Sequence, residues 1–121
     1  MEKLPALDPA QLRPWLDREA MVHACVAQVM KDLGPYGIHL AYSGQAATAY
    51  EELFGALQPQ LYALLGSKAT LREILYRVDV NENQLARLRE GNEETASTLT
   101  RLILWRELQK VVTRFMLSQE G

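Results

Sequence analysis

This chain is poor in the residues that most protein chemistry relies on. Cys25 is its only cysteine, and His23 and His39 are its only histidines. One cysteine excludes an intrachain disulfide framework and any zinc site built on paired cysteines. Cys25 lies in an apolar stretch with helical spacing, so a small buried apolar residue is its expected role. His23 and Cys25 stand two apart and face different directions on a helix, so they do not form a Cys–His pair there. Glu19 and His23, four apart, do share a face. One such pair supplies two metal ligands, and the paired Glu-x-x-His motifs of di-iron bundles are absent, so a surface contact is expected. No phosphate-binding glycine loop, dinucleotide fingerprint, His-Glu-x-x-His or Gly-x-Ser-x-Gly occurs. The expectation is therefore no catalytic residue, no metal and no cofactor.

Other absences set the class of protein. No run approaches the roughly 20 apolar residues that span a bilayer. The opening Met-Glu-Lys-Leu-Pro has neither the basic flank nor the apolar run of a signal peptide, so a cytoplasmic location and no membrane partner are expected. The net charge is only −2, which counts mildly against a general nucleic-acid binder. No repeat, low-complexity tract or linker divides the chain. At 121 residues, with 48% hydrophobic and 23% charged side chains, it can bury one core and reads as a single domain over residues 1–121.

The pattern of what is present is helical. Asp8-Pro9 is a helix-start signal, and Pro14 restarts or bends that turn. A first main helix is expected over about 15–33, burying Trp15, Val22, Val26, Val29 and Leu33, backed by Leu12 and Cys25, and stopping at Gly34-Pro35. Residues 36–44 alternate, with Tyr36, Ile38, Leu40 and Tyr42 on one side. A lone strand has no partner here, so an ordered loop packed by its aromatics is expected. A second helix starts after Ser43, carries Tyr50, Leu53, Phe54, Leu57, Leu61, Leu64 and Leu65, and ends at Gly66, with Pro59 expected to kink or split it. Thr70-Leu-Arg-Glu73 has the form of a capping box for a third helix over about 71–78. Asn81-Glu-Asn-Gln84 starts a fourth over about 82–90, closed by Gly91, and Asn92 caps a last helix over about 93–118. The expected architecture is an all-α bundle of five or six helices with a long C-terminal helix.

That last helix is the most informative element. Leu108, Val111, Val112, Phe115 and Met116 share one face. Leu99, Leu102, Ile103, Leu104 and Trp105 together surround the helix, and a helix that is apolar all round is covered on all sides. Either the other helices wrap this girdle, or a second copy of the chain covers part of it under twofold symmetry. Leu99, Leu102 and Trp105 are the candidate interface residues.

Residues 71–88 read as helix, short turn, helix, and the second half resembles the turn and second helix of helix-turn-helix DNA-binding proteins. In that resemblance Val80 is the buried turn residue, Asn81 the cap, and Leu85 and Leu88 the inner face. Asn83, Gln84, Arg87 and Arg89 would be the DNA-binding residues, of types that read base edges. Residues 68–114 hold nine basic and seven acidic side chains, against four and seven in 1–67. Asp79 stands where the pattern prefers Gly, Leu75 where it prefers a small residue, and Glu82 and Glu90 repel phosphate at both ends of the reading helix. Any capped helical corner has a similar form.

Leu-Tyr-Arg-Val-Asp-Val-Asn-Glu at 75–82 and Trp-Arg-Glu-Leu-Gln-Lys-Val-Val-Thr-Arg-Phe at 105–115 together resemble a group of small all-helical bacterial proteins without assigned function. The resemblance spans about residues 70–115. It implies an all-α fold in a bacterial cytoplasm and carries across no catalytic or ligand-binding residue. Within it, Tyr76, Arg77 and Asp79 are read as an Arg–Asp pair and a tyrosine hydroxyl fixing the helix corner. The function that follows is a protein-interaction or structural helical module, self-associating as a homodimer and acting on an unknown protein partner. The alternative is a DNA-binding regulator using residues 81–89.

Overall fold

The computed structural model describes residues 12–80 and 93–120. Four α-helices lie among them: α1 (Glu19–Leu33), α2 (Ala49–Leu64), α3 (Lys68–Val78) and α4 (Glu93–Glu120). Three short 3-10 turns, Arg13–Asp17, Gly34–Tyr36 and Ala46–Thr48, precede or join them, and the described residues contain no strand. The chain is all-α. The expected start at Asp8-Pro9 and the expected short helix over 82–90 lie outside the described residues.

Helix α4 lies against each of the other three. Its buried residues are Thr95 and Ala96, Leu99 and Thr100, Ile103 and Leu104, Glu107 and Leu108, and Val111 and Val112. These pairs recur every fourth residue. An α-helix has 3.6 residues per turn, so each step of four advances the row by about 40°, or about 160° from the first pair to the last. The buried row therefore winds around α4 and meets different neighbours along its length. This is why the apolar residues of 99–105 surround the helix in sequence. Leu99, Ile103 and Leu104 follow the winding row into the core, while Leu102 and Trp105 stand off it and are partly exposed.

The partners of this row have equally regular spacing. Helix α2 buries Ala49, Leu53, Leu57 and Leu61, again every fourth residue. Helix α3 buries Leu71, Ile74, Leu75 and Val78, one stripe of a short amphipathic helix. Helix α1 buries Met21, Val22, Cys25, Val29 and Leu33, but also Gln28 and Asp32.

Three local expectations are corrected. Residues 15–33 are not one helix: Arg18 is extended (φ −98°, ψ 117°) and separates the Arg13–Asp17 turn from α1. The turn is held by side chains, with the Arg18 guanidinium 4.6 Å from the Trp15 ring centre and Trp15 edge-on to Phe115 of α4 at 5.5 Å. Pro59 does not split α2. The carbonyl it deprives of a donor belongs to Gly55, and both residues are exposed, so water can take that place. Helix α3 begins at Lys68, and its N-cap is Ser67 with no side-chain capping bond, so Thr70 lies inside the helix.

The alternating segment after α1 is an ordered loop. Ile38 is buried, and Tyr36, Leu40 and Tyr42 pack against the core. In place of a partner strand, the Gln60 amide serves its backbone: the His39 N–H donates to Gln60 Oε1 (2.9 Å), and Gln60 Nε2 donates to the His39 carbonyl (2.6 Å). Glu52 accepts from Ser43 N–H and Oγ (2.9 and 2.7 Å) and from Thr48 Oγ1 (2.6 Å). These hydrogen bonds hold its carboxyl below the ordinary range and fix the loop's return into α2.

Leu57 is fully buried on α2. Truncating it to alanine removes packing from the core that α2 shares with α4. Leu57→Ala is expected to lower unfolding free energy by about 2–5 kcal/mol in chemical denaturation. A loss below about 1 kcal/mol would contradict the packing described.

Candidate functional site

Among the described residues, a buried polar cluster lies between α1 and α4, and an aromatic patch surrounds Trp105 at the surface.

The buried cluster centres on Glu107, whose side chain is completely enclosed. Its place on α4 is the reason. Ile103, Glu107 and Val111 succeed one another at four-residue spacing, so the core row delivers a carboxyl where a leucine is expected. Lys110, one turn on, sets Nζ 2.9 Å from Glu107 Oε1 and 3.0 Å from Oδ2 of Asp32 on α1. It also donates to the Arg77 carbonyl at the end of α3 (3.1 Å). Gln28, one turn before Asp32, donates to Asp32 Oδ2 (2.9 Å) and accepts from Arg114 Nη2 (2.5 Å).

Despite the short approach of Lys110, neither Glu107 oxygen accepts a well-directed hydrogen bond among the described residues. The surroundings suit the protonated acid. Burial first, and then the hydrogen bond to Asp32, push the Glu107 carboxyl up to about 8, against the opposing pull of Lys110. Asp32 goes the other way. Burial would raise it, but hydrogen bonds from Glu107, Gln28 and Lys110 outweigh burial and hold it below 3.8. The two carboxyls are thus shifted in opposite directions, with the Lys110 ammonium within 3.0 Å of both. Cys25 is buried on the same side of α1. Burial, and then the nearby Glu107, push its thiol up to about 12, so it is a packing residue and not a nucleophile.

The surface patch is built from α2, α4 and the first turn. Tyr50 stacks on Trp105 with ring centres 4.9 Å apart and planes 17° from parallel. Phe54 tilts against Tyr50 at 6.0 Å, and the Arg13 guanidinium sits 5.2 Å from the Tyr50 centre. Arg13 also pairs with Glu51 at 3.1 Å. An open groove runs beside the stack, lined by Arg13, Tyr50, Glu51, Phe54, Gly55 and Arg101. Beneath Trp105 a void of about 10 Å³ borders Leu16, Cys25, Leu53, Leu104 and Leu108. The indole is therefore both a wall of the core and part of the surface.

The residues singled out from sequence divide as follows. Leu99 is 1% exposed and faces the chain's own core, whereas Leu102 and Trp105 reach the surface. Asn83, Gln84, Arg87 and Arg89 lie outside the described residues. Glu19 and His23 form an exposed contact at 3.5 Å, and no group of three or more metal-ligating side chains assembles among the described residues. The expected Arg77–Asp79 pair is replaced by Arg106–Asp79, and Tyr76 is 86% exposed, so its hydroxyl does not fix the corner.

What fixes the corner is the backbone. Asp79 is left-handed (φ 69°, ψ 48°). Its N–H reaches the Tyr76 carbonyl at 3.2 Å, and the Val80 N–H reaches Leu75 at 3.0 Å. That is the Schellman closure of a helix, in which Val80 folds back onto the core. Arg106 of α4 grips the turn, donating from Nη2 to Asp79 Oδ2 (2.8 Å) and from Nε to the Asp79 carbonyl (3.1 Å).

Glu107, Asp32, Gln28 and Lys110 were not singled out from sequence. The available signal is an acid in the middle of an apolar four-residue row, with a second acid and an amide four apart on α1. No described helix is long and apolar enough to cross a membrane. No protein-family model, no curated protein and no solved structure matches the chain.

The left-handed turn has a direct test. Asp79→Ala and Asp79→Gly lose the same contact with Arg106, but only alanine keeps a Cβ in the unfavourable conformation. Asp79→Ala is expected to be less stable than Asp79→Gly by about 1 kcal/mol or more in thermal or chemical denaturation. Equal stabilities would mean that backbone conformation does not limit this corner.

Proposed function

We propose that the chain is a helical interaction module that acts through protein contacts and self-associates, with the face around Trp105 as its contact surface. The observation that carries this reading is the Tyr50–Trp105 stack at the surface, with Arg13 and Arg101 beside it and an open groove alongside. Tryptophan, tyrosine and arginine are the residue types that dominate interface energies, and flat aromatic area binds at low entropic cost. A twofold arrangement brings each groove, with Glu51 and Arg101 on its rim, against its own copy. Of the three candidate interface residues, Leu102 and Trp105 belong to this face. Leu99 is buried in the chain's own core. A bundle of five or six helices, cytoplasmic and of bacterial type, is the form in which we place this module.

A second reading, a helix-turn-helix DNA-binding regulator using residues 81–89, which lie outside the described residues, draws on one observation in α3, the helix that precedes them. Its outer face aligns Lys68, Arg72 and Tyr76 at four-residue spacing, all exposed, next to Arg77. That reading requires binding to generic duplex DNA that weakens steeply with added salt.

Solution mass by light scattering at tens of micromolar tests the first reading. A dimer is expected. Trp105→Ala is expected to weaken it by about 30-fold, the equivalent of about 2 kcal/mol. Because Trp105 also walls the core, Arg101→Glu is the companion variant: it alters an exposed side chain and leaves packing intact, and it should weaken the dimer at unchanged helicity. A wild-type monomer at that concentration contradicts the proposal.

A further inference from the structure

Helix α4 turns a fully enclosed carboxyl, Glu107, toward a second carboxyl on α1, Asp32, with a single ammonium, that of Lys110, within 3.0 Å of both. The charged and titratable groups around it come from each packed element. From α1 come Asp32 and the Cys25 thiol. From α4 come Lys110 and, through Gln28, Arg114. From α3 comes only the Arg77 carbonyl that Lys110 holds. The buried residues of α2 are apolar, Leu53, Leu57 and Leu61 among them.

Arg114 is exposed and reaches the cluster only through Gln28, so two ionised carboxylates beside the Lys110 ammonium would leave a net negative charge at the enclosed end, and enclosed unbalanced charge is strongly disfavoured. One retained proton makes the cluster neutral. It also turns one Glu107 oxygen into a donor, where among the described residues neither oxygen accepts a well-directed hydrogen bond. The oxygens of Glu107 therefore point to a bound proton as directly as an unpaired buried donor points to a missing acceptor.

We propose that the α1–α4 seam is a proton-binding site, in which Glu107 and Asp32 share one proton beside Lys110, and that loss of this proton loosens the seam. The proton leaves to solvent base past Asp32 and Lys110, the members of the cluster whose side chains touch water (11% and 21% exposed). What remains is two carboxylates competing for one ammonium. The same ammonium ties the end of α3 through the Arg77 carbonyl, so the corner between α3 and α4 is linked to the seam.

The directions of titration agree with this. The Glu107 carboxyl is raised from 4.5 to about 8, so the folded chain keeps a proton that the unfolded chain releases. The stability this group contributes is fully present below 4.5 and is lost as pH rises through about 8. Between those values the folded-to-unfolded ratio falls by up to about tenfold per pH unit, the effect of one proton. Asp32 acts in a separate window: its lowered carboxyl contributes stability that is present above 3.8 and is lost as pH falls below it.

The test uses the full chain and the variant Glu107→Gln, which fixes the neutral form at nearly constant shape. Chemical denaturation is followed from pH 5.5 to 9.5. Wild type is expected to lose up to about tenfold in folded-to-unfolded ratio per unit until about pH 8, then level off, while Glu107→Gln stays flat. Any group that changes protonation alike in both proteins cancels in the comparison, so the difference between the two slopes is the readout. The same slope in both overturns the proposal. A second readout, the carboxyl carbon resonances of labelled wild-type protein, stands even if Glu107→Gln does not fold. One buried carboxyl should titrate near 8, and Asp32→Asn should move that midpoint down, because the acceptor carboxylate that holds the proton is gone. A Glu107 midpoint in the ordinary carboxylate range, or one indifferent to Asp32→Asn, overturns the proposal.

Discussion

The four-residue row of buried positions on α4 is the constraint on which the rest of the structure depends. A row repeating every fourth residue cannot stay on one side of a helix of 3.6 residues per turn, so it winds. Three helices, two of them with a single narrow apolar stripe, can then share one central helix by meeting successive parts of it. Leu53, Leu57 and Leu61 of α2 have the same spacing as the row itself, and Leu71, Ile74, Leu75 and Val78 of α3 add a short stripe at the corner. Thr100 is tolerated in the row because its hydroxyl donates back to the Ala96 carbonyl at 2.7 Å.

The same row explains the two unusual places in the molecule. Where it passes α1 it carries Glu107, and α1 answers with Gln28, Asp32 and Cys25 in place of a continuous apolar stripe. A polar network in a core gives orientation at the expense of stability, because every member must be satisfied. Here satisfaction requires a proton. Trp105 stands off the row, and the indole lies over the core edge and against Tyr50 of α2. The buried polar seam and the aromatic face are therefore successive consequences of one periodicity.

Much of this was legible in the sequence, and the exceptions have physical causes. Alternation at 36–44 without a partner run indicated a loop, and the loop is there; that Gln60 would serve its backbone depends on a contact 21 residues away, invisible to local pattern. Pro59 indicated a kink or a split, and α2 is not split, because the lost hydrogen bond falls on Gly55 at the exposed side, where it costs little. Thr70 and Glu73 have capping-box spacing, but Ser67 one turn earlier starts the helix. Asp79 was read as a partner for Arg77, whereas its left-handed backbone turns it toward Arg106, 27 residues on. The apolar girdle was read as residues on all sides of α4; a winding row is the same list of residues with most of them facing inward. Glu107 went unmarked because a glutamate among Arg106, Gln109 and Lys110 looks like solvent-facing composition until the four-residue row is drawn through it.

In the proposed self-association the residues that stand off the row form the contact, and side-chain accessibility at two concentrations tests this. Hydroxyl-radical footprinting of the full chain, dilute and at tens of micromolar, reads Trp105, Leu102 and Tyr50 alongside Tyr62 and Tyr76, which are 52% and 86% exposed on other faces. The account predicts that Trp105, Leu102 and Tyr50 become protected as concentration rises, while Tyr62 and Tyr76 do not change. Protection of Tyr62 or Tyr76 instead, or none at all, would contradict it.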